Sequence, residues 1–364
     1  MSMFAVLSDI HCHDWSLFSR TNSDGVNSRL QIILDEMLRS ATVLHGAGGR
    51  VMIWTGDIFH TRGVINPEVL NPLRDTVRKI LEMGIDIYVE PGNHDLKSRD
   101  TCELSSAVQN LEMKVDGGGE LLVINKVTRI VRDGHIMGFV PWRARTEDLL
   151  ADLELLAKSD DHDKMDVFIH VGIDGVLPGM PASGITDKLL GKFGFRHIFA
   201  GDYHNHKVLE HGVISVGATT HQTWGDVGSK AGFLLVDGAT GRVTYQASHA
   251  PSFIDLTGLS EDEMQMECDG NYVRFRGPPM SQSDINKLKE HFLAWGAKGV
   301  SIEVPRALTA ARSTTTPATG LSIDQSVANY VDGKKDIPAH INREAVKRRA
   351  VEVLDRARTV YEEA

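Results

Sequence analysis

Short apolar runs, each about as long as a buried strand, alternate along the first two-thirds of the chain with longer stretches whose apolar residues recur at helical spacing. Phe4-Ala5-Val6-Leu7 and Val51-Met52-Ile53-Trp54 are two such runs, and each leads directly into a loop that carries an aspartate. Leu30, Ile33, Leu34, Met37 and Leu38 give a predicted helix over 29–44 one apolar face, and a second helix is predicted over 70–83. A third strand, 85–89, stops at Pro91-Gly92, and further strands are predicted over 121–124, 136–140, 167–169, 197–200, 213–216 and 233–236. Strands interleaved with helices indicate an α/β layered core that extends to about Leu256.

A second pattern begins near Asp255. Residues 271–276 alternate like a half-exposed strand, 283–295 read as a helix and 299–304 as a strand, which together make a small βαβ module. Residues 312–320, with four threonines beside a serine, a proline and a glycine, have the composition of a linker. Beyond them the chain reads as a helical tail with Asn342 as N-cap and Val346, Ala350, Val353, Ala357 and Val360 on one narrow apolar stripe. Arg343, Lys347, Arg348, Arg356 and Arg358 lie mostly off that stripe, so the helix suits a partner as well as its own body. The expected division is 1–256, 257–306 and 307–364.

Composition narrows the class. Of 364 residues, 41% are hydrophobic and 24% charged, as in a globular chain with a sizeable core, and no apolar run is long enough to span a membrane. Three cysteines, Cys12, Cys102 and Cys268, are too few and too scattered for a disulfide framework or a thiolate zinc site. The first residues have no basic segment of the kind that opens a secretory signal, and the expected location is cytoplasmic. A net charge of −10, from 39 Lys and Arg against 49 Asp and Glu, argues against a nonspecific nucleic-acid coater. It leaves room for an enzyme acting on nucleic acid, because bound divalent ions or a basic partner invert the local potential.

Histidine changes the picture most. Five segments place oxygen and imidazole donors just past an apolar strand: Asp9-Ile10-His11, Gly56-Asp57-Ile58-Phe59-His60, Gly92-Asn93-His94-Asp95, Ile169-His170 and Gly201-Asp202-Tyr203-His204-Asn205-His206. Strand ends are where open α/β sheets collect ligands from segments distant in sequence. Asp, His and Asn suit manganese, iron or zinc, and a carboxylate flanked by such donors suggests a bridge between two ions.

These segments, in this order, resemble the calcineurin-like metallophosphoesterases, whose pattern runs Asp-x-His, Gly-Asp, Gly-Asn-His-Asp/Glu, a strand-end His, then Gly-His-x-His. The resemblance implies a four-layer α-β-β-α sandwich. It also implies that Asp9 and His11 hold a first ion, Asp57 bridges, and Asn93 and His170 hold a second. The last segment departs from the pattern, since Asp202 stands where the family has His. Two registers are open: Asp202-x-His204, or His204-x-His206. The second keeps two imidazoles and is favoured, with His204 on the second ion and His206 on the first. His94 is then expected to approach the scissile phosphate as general acid or charge stabiliser, steadied by Asp95.

Gly56-Asp57-Ile58-Phe59-His60 is similar to a Gly-Asp-Leu-Phe-His segment of the SbcD-type nucleases, in which the His contacts substrate phosphate. Residues 251–257 resemble the segment with which those nucleases leave their catalytic core. The module after it then corresponds to a DNA-binding capping domain, and the tail to helices that grip an ABC-type ATPase of the SbcC kind. The resemblance implies a DNA phosphodiesterase, exonuclease and endonuclease, with two divalent ions, most often Mn2+, acting in repair and recombination as the homodimeric nuclease subunit of such a complex. The alternatives are a small-molecule phosphodiesterase or phosphatase of the same superfamily, and a scaffold that has lost its chemistry. His13 is expected to be a solvated or capping residue, and His221 is a candidate for the DNA path.

Overall fold

The alternation of apolar strands and amphipathic helices builds two sheets that face each other. A computed structural model describes residues 3–98, 103–104, 106–132, 134–305, 323–334, 338 and 341–362. In chain order its elements are β1 (Met3–Leu7), α1 (Ser28–Gly46), β2 (Val51–Thr55), α2 (Pro67–Glu82), β3 (Asp86–Glu90), α3 (Ser106–Gln109), β4 (Met113–Lys114) and β5 (Glu120–Val123). There follow β6 (Thr128–Arg132), β7 (His135–Val140), α4 (Thr146–Ala157), β8 (Met165–His170), α5 (Asp187–Leu190), β9 (His197–Gly201), β10 (Lys207–Val208), β11 (Val213–Ser215), β12 (Gly232–Asp237) and β13 (Val243–Ala247). The chain continues with β14 (Phe253–Asp255), α6 (Glu261–Cys268), β15 (Tyr272–Arg276), α7 (Gln282–Ala294), β16 (Gly299–Glu303), α8 (Ile323–Gly333) and α9 (Arg343–Glu362).

One sheet runs β13-β12-β1-β2-β3-β5-β4 and the other β10-β11-β9-β8-β7-β6. Period-two alternation decides what each strand buries. Phe4 and Val6 of β1, Ile53 of β2, Phe139 of β7, Phe168 of β8 and Phe199 of β9 turn inward and fill the space between the sheets. Ala5 and Leu7 turn outward onto Leu30, Ile33, Leu34 and Met37 of α1, beside Val77 and Ile80 of α2. Val167 and Ile169 of β8 turn the other way, onto Leu149, Leu153 and Leu156 of α4. The result is a four-layer α-β-β-α sandwich. β1, β2 and β3 are mutually parallel, as are β7, β8 and β9, so their C-terminal ends lie together.

The small module differs from its expected form. Phe253–Asp255, read from sequence as part of the core, is a strand that pairs in parallel with β15, and β15 pairs in parallel with β16. The module is therefore βαβαβ, with Leu256, Val273, Phe292 and Val300 in its own small core. Phe18, at φ 60°, stacks on Tyr272 at 5.3 Å, and Gly299 leaves the space that the Phe18 ring occupies.

Met1–Pro305 forms one compact unit and Arg306–Ala364 another. In the second, α8 and α9 pack together, with Arg343 Nη1 donating to the carbonyls of Val331 and Asp332 and Lys347 Nζ 2.7 Å from Asp332. Asn342 caps α9 as its sequence position suggests, accepting from the amides of Glu344 and Ala345. Residues 312–320, Cys102 and the side chains of Ala357 and Val360 lie outside the described residues. No helix among the described residues is long and apolar enough to cross a membrane.

Candidate metal centre

The loops that leave β1 and β2 run side by side. Asp9 N donates to the Gly56 carbonyl, His11 N to that of Asp57 and Cys12 N to that of Ile58. Turning three acceptor-rich side chains into the same space requires unusual backbone. Asp9 (φ 48°), His11 (49°) and Asp57 (55°) are all left-handed, and Asp202 (93°) joins them from the loop after β9. Such strain in non-glycine residues is stored where the surrounding structure enforces it. Gly56 (φ +87°) and Gly92 are required by close approach: a Cβ on Gly56 would stand 2.1 Å from His170 Nδ1, and one on Gly92 2.3 Å from Asp57 Oδ1.

Asp57 reaches both sides of the centre, with Oδ2 3.7 Å from His11 Nε2 and Oδ1 3.4 Å from His170 Nε2. His170 arrives from the second sheet. Its Nδ1 donates to the Thr55 carbonyl at 2.7 Å, which directs Nε2 into the centre. His204 Nε2 lies 3.1 Å from His11 Nε2, and its own Nδ1 is 2.6 Å from Asp226 Oδ1. Asp9, His11 and His204 have ligand atoms within 4.8 Å of one another, as do Asp9, Asp57 and His170, and as do His11, His60 and His94.

Three expected residues sit differently. His206 is pulled aside by the β10–β11 hairpin: its Nδ1 bonds the Ser215 carbonyl at 2.9 Å and its ring stacks on Tyr245 at 4.6 Å. His204, not His206, stands with Asp9 and His11, and Asp202 faces the second group, 3.8 Å from His170 Nε2 and bonded by Asn93 Nδ2 at 3.2 Å. The geometry thus favours the Asp202-x-His204 register. Asp95 does not steady the His94 ring. Fully buried, its carboxylate accepts from the amides of Ile58, Phe59 and Gly92 and so ties the β2 and β3 loops together. The His94 ring is held instead through Nδ1 on the His60 carbonyl, and its amide donates to Asp57 Oδ1. Asn93 does reach the centre, but its Oδ1 accepts from Arg62 Nη2 at 2.8 Å.

His221, expected as a candidate for a DNA path, is buried, with Nε2 on the Ser229 carbonyl and Nδ1 accepting from Phe253 N, so it pins the first strand of the small module. His13 is half-buried between Trp15 and His60 rather than solvated. Asp226 and Arg62 escaped the sequence reading. For Asp226 the available signal was its place three residues after the capping Thr223.

Burial and mutual charge set the protonation of the group. Burial alone would raise the Asp57 carboxyl, yet His170, His11 and His94 hold it well below the ordinary range. Burial raises Asp9 and Asp95. It lowers His11, and with His13 and His94 it brings His60 down to about 4. His204 moves the other way: Asp226 and Asp9 overcome burial and lift it to about 9.

This donor set fits divalent ions. It offers carboxylate and imidazole with no thiolate, since the nearby Cys12 thiol is buried and pushed far up. His170 Nε2, turned into the centre, is buried without a hydrogen-bonding partner, and buried polar atoms left in that state are rare in the absence of an ion or water.

A calcineurin-like phosphoesterase family model matches residues 2–206. Exonuclease subunit 1 of Enterobacteria phage T4 is 22% identical over 279 residues, covering 72% of this chain and 78% of that protein. Among solved structures, a dimetal phosphatase from Danio rerio aligns with 68% of this chain and 95% of its own at 11% identity and a TM-score of 0.40. GAP50, the anchor in the inner membrane complex of Plasmodium, aligns with 84% and 97% at 13% identity and a TM-score of 0.41.

Proposed function

Because the chain belongs to the calcineurin-like phosphoesterases, a family of metal-dependent hydrolases, we propose that it is a two-metal DNA phosphodiesterase and the nuclease subunit of an SbcCD-like repair and recombination complex. The observation that carries this reading is the placement of His60 with His94, rings 5.6 Å apart, at the edge of the metal groups. The similarity to an exonuclease subunit over most of both chains supports it. Asp9, His11 and His204 would hold a first ion, His170, Asp202 and Asn93 a second, and Asp57 would bridge them. Asn93 ligates only if its amide turns away from Arg62. We take the ions to be Mn2+; two of them supply Lewis acidity, lowering the pKa of a water and neutralising charge on phosphate oxygens.

The protein's own groups do the rest. His94 Nδ1 donates to the His60 carbonyl, so Nε2 is the atom left to carry a proton to the departing sugar oxygen. His60, whose imidazole is brought down to about 4 by burial and by the neighbouring His13 and His94, would donate a hydrogen bond to the phosphate. Asp95 positions both loops through three backbone amides. The module from 257 to 306 would bind DNA as a capping domain. The tail from 307 to 364 would grip an SbcC-like ABC-type ATPase, whose charge offsets the acidity of this chain. A homodimer acting in the cytoplasm completes the reading.

The test is digestion of 3′- and 5′-labelled single- and double-stranded DNA with added Mn2+, comparing wild type with His94→Ala and Asp57→Ala. Metal-dependent cleavage lost in both variants is the expected result. Rapid hydrolysis of small phosphodiesters without any cleavage of DNA would instead identify a small-molecule enzyme.

A further inference from the structure

Among the described residues three groups of ligand atoms meet at the centre, and one of them contains no carboxylate. His11, His60 and His94 each bring a ring nitrogen to within 4.8 Å of the other two. The ring centroids are 5.3 Å apart for His11 and His60, 5.1 Å for His11 and His94 and 5.6 Å for His60 and His94. The three residues come from the separate loops after β1, β2 and β3, so no local turn accounts for their meeting. Their nitrogens are available. The His60 carbonyl engages His94 Nδ1 and leaves Nε2, while His60 Nδ1 is buried and meets no hydrogen-bonding partner, a rare state for a buried polar atom. His11 is buried and the other two are half-buried, so the group is reached from solvent past His60 and His94. His11 is also shared, because it stands with Asp9 and His204 as well.

The two kinds of group select different ions. Asp9 and Asp57 with His170 present two carboxylates to one imidazole, which suits Mn2+. Three imidazoles suit Zn2+, which stands above Mn2+ in affinity for nitrogen donors and takes three-histidine sites elsewhere. With Zn–N bonds of about 2.0–2.1 Å the ligand nitrogens of a tetrahedral site stand about 3.4 Å apart, so these three need to close by no more than about 1.4 Å.

We propose that His11, His60 and His94 form a separate site for one Zn2+, exclusive with manganese at the first ion's place, whose filling turns the enzyme off. Zinc there uses the His94 nitrogen that would carry the proton, takes His60 from the phosphate and draws His11 from the first ion. That consequence rests on the DNA reading above, whereas the site rests on the three rings alone.

The test loads the metal-stripped full chain with one equivalent of Zn2+ and reads its ligands by zinc-edge X-ray absorption, which counts coordinated imidazoles. Wild type should show three and His60→Asn two. Two imidazoles with carboxylate oxygens in both proteins would put zinc among Asp9 and Asp57 and overturn the site. By calorimetry His60→Asn should bind Zn2+ more than about 100-fold more weakly, a larger loss than the roughly 10- to 100-fold that an outer partner is worth. Its Mn2+ isotherm should match wild type, which also shows that the variant is folded. An unchanged zinc affinity, or an equal loss for Mn2+, would overturn the inference. One equivalent of Zn2+ should arrest Mn2+-dependent DNA cleavage by wild type, and cleavage that continues with three imidazoles on zinc would overturn the off-switch. A protein that binds zinc in this way yet cleaves no DNA with Mn2+ alone would overturn the nuclease reading and leave the site standing.

Discussion

Asp226→Asn separates a carboxylate that tunes a metal ligand from one that merely fills space. Asp226 is buried, with Oδ1 2.6 Å from His204 Nδ1 and Oδ2 accepting from Gln222 N at 2.8 Å and Thr223 N at 2.7 Å. An asparagine cannot serve both sides. If its oxygen keeps the two backbone amides, its NH2 faces His204 and forces the tautomer in which Nε2 carries the proton, leaving no lone pair for an ion. If its oxygen keeps His204, the NH2 opposes two N–H groups, and each buried donor left unsatisfied costs about 1–3 kcal/mol. Loss of an outer partner of a ligating His typically lowers metal affinity about 10- to 100-fold, or roughly 1.4–2.7 kcal/mol. One effect opposes this. In the metal-free protein His204 titrates at about 9, so a proton must leave before an ion binds, and the variant relieves that competition near neutrality. The difference should therefore widen from pH 7 to pH 9, where about half of the wild-type molecules have lost the proton. Calorimetric titration of Mn2+ into metal-stripped protein at both pH values measures it. Two ions bound to Asp226→Asn with wild-type affinity at pH 9 would refute the role.

Three further outcomes follow from the same geometry. His94→Gln should retain both ions by calorimetry yet lose about 10²- to 10⁴-fold in phosphodiester hydrolysis, the usual worth of a general acid; unchanged turnover would remove His94 from the chemistry. Gly92→Ala, whose Cβ would meet Asp57 Oδ1 at 2.3 Å and His170 at 2.8 Å, should bind one ion fewer while its circular dichroism keeps the wild-type form. Far from the centre, the buried Asp166 takes Arg196, His197 and His135 together, and Asp166→Ala should cost about 3–5 kcal/mol in urea denaturation while metal binding stays unchanged. Burial would raise that carboxyl, but its partners hold it far below the ordinary range, so its contribution is full above the unfolded value near pH 4 and fades as pH falls below it.

What could be read in the sequence and what could not divide along one physical line. Strands buried on both faces are continuous apolar runs, and the loops at their ends carry ligands, so β1, β2, β3, β8 and β9 and the residues after them are legible without a structure. β6 and β13 are not. β6 alternates half-buried with exposed positions at the free edge of its sheet, and β13 is half-buried through Val243–Gln246, so neither presents an apolar run. The same division runs through the centre. Asp9, His11 and Asp57 follow their strands by at most a few residues and His170 ends its own, where local chemistry dictates placement. The last segment lies in a loop whose direction depends on a left-handed Asp202 and on Lys207 pairing with Ser215, eight residues on. That pairing draws His206 onto Tyr245, and an argument from keeping two imidazoles has no access to it.

Asp95 shows the limit from the other side. Its place beside His94 in sequence suggests a partner for that ring, but the tight turn over Asn93–Asp95 points the two side chains apart. The carboxylate goes to amides of the neighbouring loop, and a backbone carbonyl holds the imidazole. Neighbours in a turn seldom share a target. Donors at the strand ends can therefore be placed from sequence, whereas the groups that orient them, Asp226 behind His204 and Thr55 behind His170, come from whichever chain segment the fold packs behind the site.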